Sequence, residues 1–478
     1  MSNRKSNEME CFFKPKGVAL VGATANPNKG AFSIWHNLKT GFRGPIYPVN
    51  PRYTELDGQP CYSSVRDVPD PVELVIVFVP APMVLPVVRD CVDRGIPGVI
   101  IESAGFAETG ETGKKLQDEL TEIIRESDIR IWGPNCMGVV DAVSRHVFSF
   151  VSPAIWDDGL PAGDVSLVVQ SGMLSGGFLI DLMSHGIMGV SKVCSIGNKA
   201  DVDECDLLEY LIKDSDTRAI CLYIESIKDG RRFLHACRSS RKPIVLLQGG
   251  KSEKGAVAAM SHTASLSGNG AVWNGAMDQA GVVRADDFNQ MMDLGRSLAI
   301  HPEPLERETG RVAVVTFSGA AGIVSADFMD RYGLELADLS ENARKLLKGV
   351  YPEWMPVSNP IDLWPAIERS GIERAYGEAI RAVYDDSGVD AVLFHIFLGG
   401  LALKFNLQSV IEAARAAGKP TFFWLLGKKD IAEAFQKEAR DLGVPVFREL
   451  SRAVECMAAV LSRKREKGVL FKYPGSEF

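Results

Sequence analysis

Short runs of β-branched and other apolar residues recur along the chain, each followed by a glycine-containing turn and a longer amphipathic stretch. That alternation predicts strand–helix–strand units and parallel sheets. The runs lack strict alternation, as expected of strands covered on both faces. A first block carries them at Val18–Val21, Ile46–Val49, Leu74–Val79, Val99–Ile101 and Ile129–Trp132, with helices over Met83–Arg94 and Gly113–Ser127. A second has strands at Val165–Val169, Lys192–Ser195, Ala219–Ile224 and Pro243–Leu247, and helices over Leu174–Ser184, Glu204–Ile212 and Gly230–Ser239. Asp286–Ala299 reads as its closing helix, and His301–Gly310, rich in Pro, Glu and Arg, as a linker. A third block has strands near Val312–Thr316, Ala391–Phe394 and Thr421–Leu425, with helices near Leu401–Ala417 and Ile431–Leu442 and a peripheral tail, Ser462–Phe478. The segment from Val165 to Gly172 echoes that from Val312 to Gly319, which suggests a shared layout for blocks two and three; the bland alternative is that all strand-turn-helix units look alike.

The length of 478 residues fits this division, at roughly 150 residues per domain. A net charge of −8 argues against a surface devoted to nucleic acid. The nine cysteines form no C-x-x-C pair, which points to reduced thiols in a cytosolic protein and against structural zinc or any other metal site. The N-terminus has no signal-peptide core, and the most apolar stretch, Leu74–Val88, is too short and too rich in proline to span a membrane. The expectation is a cytoplasmic protein with no nucleic-acid or membrane partner.

Candidate chemistry sits where strands end. Val21 delivers the chain to Gly22, where a tight turn and the following helix N-terminus can hold a phosphate, with Thr24 and Lys29 adding a hydroxyl and a charge. The full dinucleotide glycine spacing is absent, and the second strand ends at Val49-Asn50-Pro51 without an acidic residue, which disfavours NAD. Further strand ends read Val79-Pro80, Glu102-Ser103-Ala104-Gly105 and Gly133-Pro134-Asn135-Cys136. Four such ends in order suit a long ligand lying across a sheet edge. In the second block, Gln170-Ser171-Gly172-Met173 is another turn suited to an anion, and Gly197 to Asp201 forms a loop after a strand. The small-residue segment from Gly249 to Gly268 surrounds His262, on spacing alone a structural histidine or a reactive one, and Glu225, at the end of a strand, has the chemistry to orient an imidazole through its Nδ1 proton.

The ordered set resembles the α subunit of NDP-forming (ADP-forming) acyl-CoA synthetases, relatives of succinyl-CoA synthetase. It covers roughly residues 12–465: Val21-Gly22-Ala23-Thr24, Pro48 to Pro51, Val79-Pro80, Ser103 to Glu108, Gly133 to Gly138, the loop from Ser261 to Leu266, Gln279 to Asp287, and Asn359-Pro360-Ile361-Asp362. The resemblance implies three doubly wound α/β domains: a Rossmann-like CoA-binding domain over 1–150, a flavodoxin-like ligase domain with the phosphohistidine loop over 151–307, and a second such domain over 308–478. CoA would lie along Gly22, Ala23, Thr24, Lys29, Asn50, Val79, Pro80, Ser103, Ala104, Gly105, Asn135 and Cys136. Phosphate would attack the acyl-CoA thioester to give an acyl phosphate. His262, its tautomer fixed by Glu225, would take the phosphoryl group, and backbone amides at Ser171, Gly172 and Met173 would hold it before transfer to ADP.

No P-loop is present, and three domains fill the chain, so the site for ATP or ADP and Mg2+ is expected on a separate ATP-grasp β subunit, in a heterotetramer. The domain-two turn Val169-Gln170-Ser171-Gly172, the domain-three turn Thr316-Phe317-Ser318-Gly319 and Thr263-Ala264 depart from the usual family pattern, which leaves the acid open; Phe317, Trp354 and Trp364 are candidate pocket residues. Two competing readings are a non-catalytic CoA-binding or regulatory module, which loss of His262 or Glu225 would mark, and a ligase whose acyl-CoA feeds a further reaction, for which no extra acid–base cluster is seen.

Overall fold

Parallel strands must be covered on both faces, and the strand residues here are correspondingly dry: Val18, Ala19 and Leu20, and all of Leu74–Val77, are fully buried. A computed structural model describes residues 9–252, 254–255, 257, 270–303, 310–399 and 406–462. The chain forms two compact units, Met1–Asp286 and Asp287–Phe478.

The first unit holds two large sheets. One is parallel and five-stranded, in the order Ile46–Val49, Val18–Val21, Leu74–Val77, Gly98–Ile101, Arg130–Trp132. Numbered along the chain this is 2-1-3-4-5, the flavodoxin order. The chain reverses direction across the sheet between Val18–Val21 and Leu74–Val77, so a crevice opens beyond their carboxyl ends, at Gly22 and Val79. The other sheet is seven-stranded: Val283–Ala285, Ile244–Gln248, Ala219–Ile224, Val165–Val169, Lys192–Ser195, then the hairpin Gly138–Asp141 and His146–Phe148. Its first five strands repeat the 2-1-3-4-5 order, and the reversal lies between Val165–Val169 and Ala219–Ile224, which places Gln170 and Glu225 side by side.

The hairpin joins the two sheets. Gly138–Asp141 pairs antiparallel with Lys192–Ser195, so residues assigned to the first domain complete the second sheet. Met137 N–H donates to the Ser195 hydroxyl at 3.0 Å and the Trp132 indole to the Ser195 carbonyl at 2.7 Å, which fastens the two sheets together inside this unit.

The second unit carries a sheet in the order Glu335–Leu336, Arg311–Thr316, Ala391–Leu398, Thr421–Gly427, Val446–Phe447, with Ile361–Asp362 also on Arg311–Thr316. With that two-residue strand set aside this is again 2-1-3-4-5, and Arg311–Thr316 holds the position that Val165–Val169 holds in the first unit. The internal echo thus reflects a shared layout. Asn359 is structural: its amide donates to the carbonyls of Val312 and Ala337 and accepts from Val314 N–H, filling a gap in the ladder. The helix expected to close the second block is present as Phe288–Ile300 but belongs to this unit. It packs on Leu450–Leu461, where Gln290 donates to the buried Glu455 carboxylate at 2.6 Å. Among the described residues no helix is long and apolar enough to cross a membrane.

Candidate functional site

A cavity of about 1230 Å³ runs along the carboxyl ends of the first sheet and reaches the turn after Val169. Gly22 begins it. Its φ of +95° and a Cβ that would stand 2.3 Å from the Phe78 carbonyl leave only glycine there. The Thr24 hydroxyl accepts from Asn26 N–H and pairs with the Tyr53 hydroxyl at 3.3 Å. Asn50 donates to the Ala23 carbonyl at 2.8 Å and accepts from Arg52 N–H, which ties the second strand's loop to the first turn. Ser103 Oγ accepts from Val79 N–H at 3.0 Å. Asn135, in the left-handed region at φ +56°, donates to Asn198 of the second sheet's loop.

Of the residues picked from the sequence for the long ligand, Gly22, Thr24, Lys29, Asn50, Val79, Pro80, Ser103, Ala104, Asn135 and Cys136 line this one cavity. Ala23 and Gly105 do not. Ala23 is buried and offers its carbonyl to Asn50. Gly105 N–H is already taken, with Phe106 N–H, by the Glu108 carboxylate at 2.6 and 3.1 Å. Burial pushes the Glu108 carboxyl up, but hydrogen bonds from Asn198, Gly105 and Phe106 outweigh it and hold the group below its usual value. The Cys136 thiol is buried and donates to the Ile101 carbonyl; burial, with Glu102 nearby, pushes it well above the ordinary thiol range.

At the inner end, Gly172 lines the cavity while Ser171 and Met173 stand outside it, Met173 with its side chain exposed. The turn opens a helix of only four residues, Gly172–Ser175, interrupted at Gly176 before Gly177–Ser184. Glu225 N–H donates to Gln170 Oε1 at 2.6 Å, and the Tyr223 hydroxyl donates to Glu225 Oε1 at 3.2 Å. His262 lies outside the described residues. Phe317 stacks on Trp424 and tilts against Phe397 within the second unit, Trp354 and Trp364 are exposed, and none of the three candidate aromatics lines the cavity.

Three side chains at this site were picked from the sequence only as members of strand-end segments, with no role of their own. Glu102 lines the inner end fully buried; one oxygen accepts from Phe150 N–H at 3.1 Å, the other has no partner among the described residues, and burial holds the carboxyl well above its usual range. Asn198 donates to Glu108 at 2.6 Å and to Gln117 at 2.9 Å. Gln170 clamps two backbone amides. Each was visible as a polar residue at a strand end, but its partners come from distant segments.

Residues 16–142 match the family model described as a CoA binding domain, and residues 162–298 that of the succinyl-CoA ligase like flavodoxin domain. The chain is similar to the α subunit of ADP-forming acetate–CoA ligase II of Pyrococcus furiosus, with 33% identity over 467 residues, 96% of this chain and 99% of that one. It is 35% identical over 457 residues to ADP-forming acetate–CoA ligase II of Archaeoglobus fulgidus, spanning 95% of this chain and 66% of that longer relative. Among solved structures it resembles the dinucleotide forming acetyl-coenzyme A synthetase 1 of Ca. Korarchaeum cryptofilum in complex with phosphate and ADP, at a TM-score of 0.84 and 30% identity, covering 95% of this chain and 96% of that one.

Proposed function

The chain belongs to the family of ADP-forming acyl-CoA synthetases, and we propose that it is the α subunit of such a ligase, interconverting a carboxylic acid, CoA and ATP with acyl-CoA, ADP and phosphate. The observation that carries this is the single cavity that begins at the Gly22 turn and ends at Gly172, beside a clamped Glu225. One long ligand can then lie with its phosphates at a strand-to-helix turn and its reactive end at a second such turn.

The residues fit CoA at the outer end, where the Gly22 turn lines the cavity and Lys29 and Arg52 supply positive charge. At the inner end phosphate attacks the thioester carbonyl; the carbon–sulfur bond breaks, CoA leaves as thiolate, and an acyl phosphate forms. His262 Nε2 then takes the phosphoryl group and releases the carboxylate. Glu225 accepts the Nδ1 proton and so keeps Nε2 free to attack, while the amides of Ser171, Gly172 and Met173 hold the transferred anion. The site for ADP and Mg2+ lies on an ATP-grasp β subunit, the assembly is a cytoplasmic heterotetramer, and the functional division follows the three large sheets.

The test is co-expression with an ATP-grasp partner, followed by incubation with CoA, ATP, magnesium and a panel of carboxylic acids. Acid-labile phosphate should appear on this chain and vanish in His262→Ala. Phosphorylation that survives the substitution would sink the mechanism, and turnover across the panel identifies the acid.

A further inference from the structure

The Gln170 side chain is held in one orientation. Its Oε1 accepts from Glu225 N–H at 2.6 Å and from Ser226 N–H at 3.2 Å, and a carboxamide that receives two donors at its oxygen must turn its NH2 the other way. Its backbone N–H is spent on the Tyr223 carbonyl. Gln170 is buried and lines the inner end of the cavity, and among the described residues Nε2 makes no hydrogen bond. The protein therefore presents a fixed, unpaired donor to the ligand, next to the Gly172 turn.

The surroundings say what kind of acceptor it awaits. The cationic side chains lining the cavity, Lys29 and Arg52, belong to loops at the outer end. Next to the Gly172 turn the lining includes Met137, whose sulfur stands 3.0 Å from the place a Gly172 Cβ would take. An uncharged carbonyl oxygen suits this single neutral donor better than a phosphate dianion, for which the neighbouring backbone turn is the better host.

We propose that Gln170 is a catalytic residue that donates from Nε2 to the acyl carbonyl oxygen, holding the thioester in place and stabilising the negative charge that develops there when phosphate attacks. As the carbonyl opens, its oxygen gains charge and this bond strengthens; as the adduct collapses and the thiolate leaves, the charge returns to the carbonyl. The inference rests on the function proposed above and adds the group that acts on the acyl carbon.

Two half-reactions of the full chain separate the roles. The probe is acetyl phosphate, or the acyl phosphate of whichever acid in the panel supports most turnover. Phosphohistidine formation from it requires attack at phosphorus, whereas acyl-CoA formation from it and CoA requires attack at the carbonyl carbon. Gln170→Glu keeps the Oε1 clamp on Glu225 and Ser226 but removes the donor at neutral pH. Acyl transfer should fall about 100- to 1,000-fold, with phosphohistidine formation reduced no more than a few fold. Because a protonated carboxyl can donate again, acyl transfer in this variant should recover toward acid pH, which no loss of packing would produce. Equal loss of both half-reactions, or retention of both, overturns the proposal. Absence of phosphohistidine in the unsubstituted chain instead overturns the function on which it rests.

Discussion

The Asn198 amide donates to the Glu108 carboxylate at 2.6 Å, joining a loop of the seven-stranded sheet to the rim of the cavity on the five-stranded one. Glu108 in turn caps the amides of Gly105 and Phe106. The shape of the CoA-binding wall is thus set partly from the other sheet.

Asn198→Ala should loosen that wall without touching the reacting atoms. Hydrogen bonds to charged groups contribute about 1.5–3 kcal/mol, so KM for CoA should rise roughly tenfold or more with a smaller change in kcat. Asn198→Asp should be worse, because it sets a second carboxylate against Glu108, and adding Glu108→Gln should restore part of the loss. Steady-state kinetics of the four proteins check this.

Gly22→Ala should disable the outer end. The added Cβ meets the Phe78 carbonyl at 2.3 Å on a backbone with φ of +95°, so either the turn or the neighbouring strand end must shift. A loss of more than about 1 kcal/mol in stability is expected, together with a larger loss of CoA binding by titration calorimetry. Unchanged CoA affinity would place the ligand elsewhere.

Glu102 makes a prediction about pH. Its carboxyl is held above the usual range by burial, so the folded chain binds a proton that the unfolded chain has released. Stability contributed by the neutral group is complete below the ordinary carboxylate pKa and is lost as pH rises through the folded value. Glu102→Gln cannot ionise. Its melting temperature should match the parent near pH 4 and exceed it increasingly toward pH 8.

His395 has the opposite sign. It is buried between Thr316 Oγ1 at 2.8 Å and Ser325 Oγ at 3.0 Å, and burial lowers its pKa from 6.5 to about 3. The unfolded chain takes up a proton over that interval and the folded chain does not, so stability falls as pH drops from 6.5 toward 3, by up to about 1.4 kcal/mol per pH unit. His395→Gln should flatten that part of the acid-unfolding curve, read by thermal melts between pH 3.5 and 7. An unchanged slope would show that His395 is protonated in the fold.

Much of the fold was legible because covered parallel strands are uninterrupted apolar runs. Val18–Val21, Ile46–Val49, Val165–Val169, Lys192–Ser195 and Ala219–Ile224 match expectation to the residue. The partners of an element were less legible. Phe288–Ile300 shows its helical period, but nothing in that period says that it serves the core beside Leu450–Leu461. The cavity was visible as a row of strand ends, since strand order alone brings Gly22, Val79 and Ser103 to one edge. Which polar groups remain available along that edge was not. Gly105 N–H is consumed by a glutamate three positions on, and the orientation of Gln170 depends on amides 55 and 56 residues away.

The hairpin from Gly138 to Phe148 limits how this protein can be divided. A fragment ending near residue 150 would keep both hairpin strands and lose Lys192–Ser195, the strand they pair with. It would carry an unpaired sheet edge into solvent, a template for self-association. The piece beginning after residue 150 would expose the matching edge of Lys192–Ser195. The two sheets are therefore interlocked, and a recombinant exchange of one half between related ligases must carry the hairpin and its docking strand together.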